Sequence, residues 1–174
     1  DYLPKSGVVA SMPLKYLEAP DVKILMEEIA ESLNLFHVVP QFVYCYRSIG
    51  SKSGNTVARI HGLGKIWQEA LLRPPAYIIE VISERYYKLN EEEKEKTVIH
   101  ELLHIPKGFS GGFRPHKGYI SRKRVEELHK ALLEKSDFAC HTNLERTRNW
   151  QMDGGRRKTL PLPSLWLQTI QGSE

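Results

Sequence analysis

The residue pattern with the clearest chemical meaning lies near the middle of the chain, at His100, Glu101 and His104. Side chains four residues apart on a helix lie on one face, so both imidazoles can reach one Zn²⁺ ion at about 2.0–2.1 Å. Glu101 points about 100° further round the helix, where a carboxylate can take a proton from a metal-bound water. This H-E-x-x-H pattern is typical of zinc peptidases, so the sequence predicts zinc-dependent hydrolysis of peptide bonds.

A catalytic zinc ion needs a third protein ligand and keeps its fourth position for water. The metzincin arrangement is excluded, because Lys107 and Ser110 occupy the positions that it requires to be Gly and His. We favour His116, since the glycines in the segment before it allow the chain to turn back toward the helix. Two alternatives remain open, a glutamate of the next helix in a gluzincin-like arrangement or another histidine: Glu126, Glu127, His129 or His141.

The metal pattern lies on a predicted helix with clear start and stop signals. Asn90 is a suitable N-cap, and Glu93 stands three residues later, where a capping-box partner belongs. Three consecutive glutamates in the first turn meet the positive end of the helix dipole. Pro106 and Gly108 predict that the helix ends near Ile105.

Hydrophobic periodicity predicts further elements on both sides of this helix. The predicted helices are residues 21–35, 66–72 and 121–135, and the predicted strands are residues 41–47, 56–61 and 77–83. Ser121 is the predicted N-cap of the last helix.

The composition predicts one globular domain. The chain has 174 residues, 41% of them hydrophobic, and a net charge of +4. Residues 136–174 are predicted to form a basic, proline-containing extension packed on the domain. The two cysteines, Cys45 and Cys140, argue against a disulfide-built secreted module and favour a cytoplasmic location. No uncharged apolar stretch approaches the roughly 18 residues that a membrane span needs, so we expect no membrane partner.

Three stretches resemble a metallopeptidase family found in archaea and phages: KIWQEAL, PPAYIIEVIS and VIHELLHIPKGFSGGFRPHKGY. They cover about residues 66–119, and the family is related more distantly to SprT-like and other minimal zincins. The resemblance implies an α+β fold, a minimal zincin-like domain in which a small mixed or antiparallel sheet packs on helices that include the H-E-x-x-H helix. It also implies that His100, His104 and His116 bind zinc and that Glu101 is the general base.

The expected substrate is a protein or peptide that lies extended along an edge strand, either residues 56–61 or residues 77–83. The tetrahedral intermediate also needs a donor, for which Arg114 and Tyr119 are candidates. The alternative function is a zinc-containing binding module without peptidase activity. A fourth protein ligand such as Glu126 or Cys140 would favour that alternative.

Basic residues in the C-terminal half give a second prediction about partners. Residues 107–130 carry seven Lys and Arg against two Glu, and residues 145–158 are rich in Arg and include Trp150. Such a surface can bind phosphates and stack a base, so nucleic acid is a candidate partner. The SprT-like kinship makes a DNA-associated protein conceivable, and a solvated basic surface is the simpler interpretation.

Overall fold

A four-stranded mixed sheet forms the centre of the fold, with strand order β1-β2-β4-β3. The computed structural model describes residues 13–135, which lie within one compact unit. The strands are β1 (Lys15–Glu18), β2 (Val43–Ile49), β3 (Ala58–Gly62) and β4 (Tyr77–Ile82). The central strands β2 and β4 are parallel, whereas β1 and β3 pair antiparallel at the two edges.

The helices are α1 (Pro20–Ser32), α2 (Lys65–Leu71), α3 (Ser83–Tyr86), α4 (Glu91–Leu103) and the short turn α5 (His116–Tyr119). Residues 122–135 form a further helix, α6. Lys117 and Gly118 have non-helical dihedral angles, so α5 is a turn rather than a regular helix. None of the helices within residues 13–135 is long and apolar enough to cross a membrane.

One face of the sheet packs against α1 and α4. Alternate residues of β4 point to these helices, and the side chains of Tyr77, Ile79 and Val81 are fully buried there. From α4, Val98 and Leu102 enter the same core. Burying a side chain of this size stabilises a fold by about 1.5–3 kcal/mol, so the apolar stripe determines how α4 is rotated.

The N-terminus of α4 has the predicted capping box. Asn90 Oδ1 accepts a hydrogen bond from the Glu93 N–H at 2.8 Å, and the Glu93 carboxylate accepts one from the Asn90 N–H at 3.2 Å. The helix ends at Leu103, with His104 as its C-terminal cap residue. These boundaries confirm the predicted start and lie within two residues of the predicted end.

The structure confirms the α+β fold of a small zincin-like domain and each predicted helix and strand, with end shifts of at most three residues. Ser121 Oγ accepts a hydrogen bond from the Arg124 N–H at 3.1 Å, which confirms the predicted cap of α6. The sequence did not reveal β1, because all four of its residues are exposed and show no alternation. The prediction for residues 136–174 lies outside the described part of the chain.

Of the two predicted edge strands, β3 is an edge of the sheet and β4 is not. β4 lies between β2 and β3, so residues 77–83 cannot be an edge, and that candidate is wrong. Within residues 13–135, β3 pairs with β4 on one side only and leaves its other side open. It also contacts α4, so the open edge lies beside the H-E-x-x-H helix.

Candidate metal centre

Three histidine side chains converge beside the C-terminal half of α4. His100 and His104 lie one turn apart on the helix, and His116 approaches them from the start of α5. One ring nitrogen from each lies within 4.8 Å of the others, the one such cluster of metal-ligating side chains within residues 13–135. The structure thus brings together the two motif histidines and the favoured third candidate.

The spacing of the ring nitrogens fits a shared metal ion. His100 Nε2 and His116 Nε2 are 3.2 Å apart. Two nitrogens bound to one tetrahedral zinc ion at about 2.0–2.1 Å would be roughly 3.3 Å apart. Imidazole nitrogens are also a donor set that Zn²⁺ favours. The cluster therefore suits zinc in both its geometry and its chemistry.

The tautomer of His104 follows from its contact with Arg114. His104 Nδ1 is 2.9 Å from the Arg114 carbonyl oxygen, which can only accept a hydrogen bond. Nδ1 therefore carries the proton, and Nε2 keeps the lone pair that a metal ion needs. The Arg114 N–H also donates to the His104 carbonyl oxygen at 2.8 Å. This pair of bonds returns the loop to the helix just before His116.

Tyr77 of β4 anchors the glycine-rich part of this loop. Its hydroxyl accepts a hydrogen bond from the Gly111 N–H at 2.8 Å and donates one to the Gly112 carbonyl at 2.9 Å. Burial raises the pKa of this hydroxyl, so it stays protonated and able to donate. The tyrosine ring also makes edge contacts with Phe109 and Phe113, at centroid distances of 4.9 and 6.2 Å.

The loop passes so close to the end of β3 that two positions there must be glycine. A Cβ on Gly62 would collide with the Gly111 carbonyl oxygen, and a Cβ on Gly111 would collide with the Leu63 carbonyl oxygen. Gly111 also has a φ of +84°, which side chains disfavour. Gln68 Nε2 joins the two segments by donating to the carbonyls of Leu63 at 2.6 Å and Ser110 at 2.9 Å.

Glu101 lies next to the histidine cluster, with only 7% of its surface exposed. Burial raises the pKa of its carboxyl group to about 7. A carboxyl group with this pKa can accept and return a proton near neutral pH, as a general base must. The side chain is therefore suited to the role that the sequence predicted for it.

Burial acts in the opposite direction on the histidines of α4. It lowers the pKa of His100 to about 4, with further contributions from His104 and His116. Burial also lowers the pKa of His104. Neutral imidazoles are the form that binds metal ions, so both rings are ready to coordinate at neutral pH without losing a proton.

A cleft of about 540 Å³ opens beside His100 and Glu101. Residues 55–58, before and at the start of β3, line one side, and α4 and α6 line the others. Val125 of α6 contributes an apolar wall. This volume is within the range of ligand-binding pockets, roughly 300–1,000 Å³. The cleft joins the open edge of the sheet to the candidate metal centre.

The competing third ligands in the described chain are engaged elsewhere. Glu126 Oε2 lies 2.6 Å from Lys96 Nζ. His129 is buried, and its Nε2 lies 2.7 Å from a carboxylate oxygen of Glu95. Glu127 lies 3.5 Å from an arginine of its own helix. These residues tie α6 to α4 or to itself rather than joining the histidine cluster.

The two candidate donors to the tetrahedral intermediate, Arg114 and Tyr119, show no side-chain contact with the histidine cluster among the described residues. Arg114 contacts the cluster through its backbone, and Tyr119 is 60% exposed. Cys140 and His141 lie outside the described residues. The sequence did not reveal Tyr77 and Gln68, which support the loop, because their partners are about 35 and 42 residues away.

The segment that contains these site residues matches a known protein family. The family model described as "Putative phage metallopeptidase" matches residues 14–137, well over half of the chain. The chain belongs to this family. The match confirms the resemblance read from the sequence, and its range includes the three histidines and Glu101.

At the level of family, the chain is a metallopeptidase, a metal-dependent hydrolase that acts on proteins or peptides. Searches of curated proteins and of solved structures returned no match.

Proposed function

We propose that this phage-type metallopeptidase is zinc-dependent, with His100, His104 and His116 as the zinc ligands and Glu101 as the general base. The observation that carries the proposal is the convergence of three ring nitrogens within 4.8 Å beside a buried carboxylate. Three histidines leave one zinc position open for water, which is the arrangement of a catalytic site.

A zinc ion held there would polarise the peptide carbonyl and lower the pKa of a bound water toward roughly 7. The protein supplies the proton transfers. Glu101 takes a proton from the attacking water and returns it to the leaving amine, and its pKa of about 7 suits both steps. Arg114 keeps the His104 ring in place through its carbonyl oxygen.

The open edge of β3 supports an extended peptide substrate. The Val57 carbonyl accepts from the Ile82 N–H at 2.8 Å, and the Leu63 N–H donates to the Ala76 carbonyl at 2.8 Å. The backbone N–H and C=O groups of odd-numbered residues in this strand therefore bond to β4. Those of even-numbered residues such as Ile60 point away from β4, toward the open edge. A peptide can pair with those groups while it passes the candidate metal centre.

The test compares zinc-loaded wild-type protein with Glu101→Gln on a mixture of unstructured peptides. The variant keeps the shape of the side chain and removes its basicity, so we expect normal zinc content and a rate at least 100-fold lower. Lys123→Gln, an exposed change outside the cleft, is the control and should cleave normally. Normal cleavage by Glu101→Gln would contradict the assigned base.

The alternative is a binding module that holds zinc in a closed site. Within residues 13–135, Glu126 is paired with Lys96 and does not join the histidines, which favours the open site. Nucleic-acid binding and a cytoplasmic location stay predictions from the sequence. Of the basic residues at 107–130, Arg124 and Lys130 face glutamates of α6, and residues 145–158 lie outside the described chain.

A further inference from the structure

The cleft beside the candidate metal centre carries one arginine, Arg122, whose charge has no partner within residues 13–135. Arg122 lines this cleft together with His100 and Glu101. Its side chain makes no ion pair or hydrogen bond within the described part of the chain. An unpaired guanidinium beside a reaction site is a ready donor to a carboxylate, which it can bind with two parallel hydrogen bonds.

Apart from the proposed general base Glu101, the other charged side chains of the cleft wall have partners. Lys96 Nζ lies 2.6 Å from both Glu92 and Glu126 and so balances the acidic side chain of α6. Glu93 accepts a hydrogen bond in the capping box at the positive end of α4. Among the described residues, Arg122 is therefore the one cationic side chain of the cleft without a partner, and its guanidinium is available to an incoming substrate.

The backbone that carries Arg122 is held in a fixed relation to the catalytic helix. Arg122 is the first residue of α6, directly after the Ser121 cap. Two contacts join α6 to α4: His129 Nε2 is hydrogen-bonded to Glu95 at 2.7 Å, and Lys96 is ion-paired with Glu126 at 2.6 Å. A group at this position can therefore read a substrate side chain at a constant distance from the reacting bond.

We propose that Arg122 makes this peptidase selective for substrates that present a carboxylate in the cleft, either an Asp or Glu side chain or a free peptide C-terminus. The selectivity rests on the proposed peptidase function, because it concerns the substrate of that same cleft. The apolar wall at Val125 accommodates the body of the peptide, and the arginine binds its charged group.

The experiment uses the full zinc-loaded chain and matched fluorogenic peptides that carry Glu, Gln or Lys at each position around the scissile bond. A second set ends in a free acid or an amide, which separates side-chain from C-terminal recognition. We expect kcat/KM to be about tenfold higher for the best Glu or free-acid peptide than for its neutral partner. In Arg122→Gln this ratio should fall to about one, and in Arg122→Glu the Lys peptide should be preferred.

Lys123→Gln is the matched control, because it removes the neighbouring positive charge outside the cleft and should keep the wild-type ratio. A wild-type ratio of about one, or a ratio that survives in Arg122→Gln, would overturn the selectivity. If wild-type protein cleaves none of the peptides, the proposed function fails instead, so the two failures are distinguishable.

Binding gives a readout that does not depend on turnover. Glu101→Gln protein should bind the preferred labelled peptide without cleaving it, and fluorescence anisotropy measures the Kd. Adding Arg122→Gln should weaken this Kd about tenfold for the acidic peptide and leave the Gln peptide unaffected. Equal weakening for both peptides would indicate a general structural role for Arg122 and would overturn the proposal.

Discussion

His104 and Arg114 exchange two hydrogen bonds across the loop that links the H-E-x-x-H helix to His116. The His104 Nδ1–H donates to the Arg114 carbonyl at 2.9 Å, and the Arg114 N–H donates to the His104 carbonyl at 2.8 Å. One contact thus fixes the tautomer of one histidine and brings the chain back so that the next histidine meets it. The arrangement of the candidate metal centre therefore depends on this loop as well as on the helix.

Tyr77→Phe should weaken zinc binding although Tyr77 is no ligand. The change leaves the Gly111 N–H and the Gly112 carbonyl without their partner, at a cost of about 1–3 kcal/mol of unfolding free energy. With the loop less firmly held, we expect zinc affinity to fall about tenfold. A chromophoric chelator competition measures the affinity. Tyr44→Phe, which removes an exposed hydroxyl, is the control; an unchanged affinity in Tyr77→Phe would show that the anchor is dispensable.

Gly111→Ala should damage the loop by a different route. Its Cβ would collide with the Leu63 carbonyl oxygen, and its positive φ disfavours any side chain. We expect a loss of about 1–3 kcal/mol in urea unfolding, together with weaker zinc binding. Gly54→Ala is the control, since a Cβ there meets open space and its φ is not positive. Equal stability of the two variants would rule out the close approach of loop and strand.

Zinc should stabilise the folded protein through the histidine cluster. A ligand that binds only the folded state adds about 2.7 kcal/mol at 100 times its Kd, so chelation should lower the Tm. In His116→Ala the Tm difference between zinc-loaded and chelated protein should largely disappear. His61→Gln, a histidine paired with Glu80 and outside the cluster, should keep the difference. A difference that persists in His116→Ala would remove that residue from the ligand set.

Glu80 should contribute stability that depends on pH. Burial opposes its ionisation, but its polar neighbours Ser48, His61 and Arg59 outweigh burial and lower its pKa. The folded state then holds this proton more weakly than the unfolded chain, so the contribution is present above the ordinary carboxyl pKa and is lost as pH falls through the lowered value. Glu80→Gln should therefore cost more unfolding free energy at about pH 5 than at about pH 3 in urea titrations. A cost that does not change with pH would contradict the lowered pKa.

The sequence predicted best what depends on near neighbours. The capping box joins residues three apart, and the two motif histidines lie four apart on one helix, so local rules were enough to predict them. His116 was favoured because glycines precede it. Its approach to the helix depends on Tyr77, 34 residues before Gly111, and on the fit between Gly62 and the loop. No local pattern encodes contacts between segments so far apart.

In the sheet, too, the sequence predicted local features but not the contacts between distant segments. The strand β4 was evident from its apolar residues, and its interior position is the reason that it has them. The sequence alone does not show that β4 is an interior strand, so residues 77–83 and residues 56–61 were both candidates for the edge strand. The four exposed residues of β1 form a strand because they pair with β2. An exposed strand of this kind needs no alternation of apolar and polar residues, so the sequence does not reveal it.

The central claim is that His100, His104 and His116 hold one zinc ion with an open position. A crystal structure of the zinc-loaded full chain, with diffraction collected on both sides of the zinc absorption edge, tests it most directly. We expect one strong anomalous peak at about 2.0–2.1 Å from one nitrogen of each histidine, with His104 bound through Nε2 and a water as the fourth ligand. A peak that lacks one of these histidines, or one with a fourth protein ligand, would contradict the account.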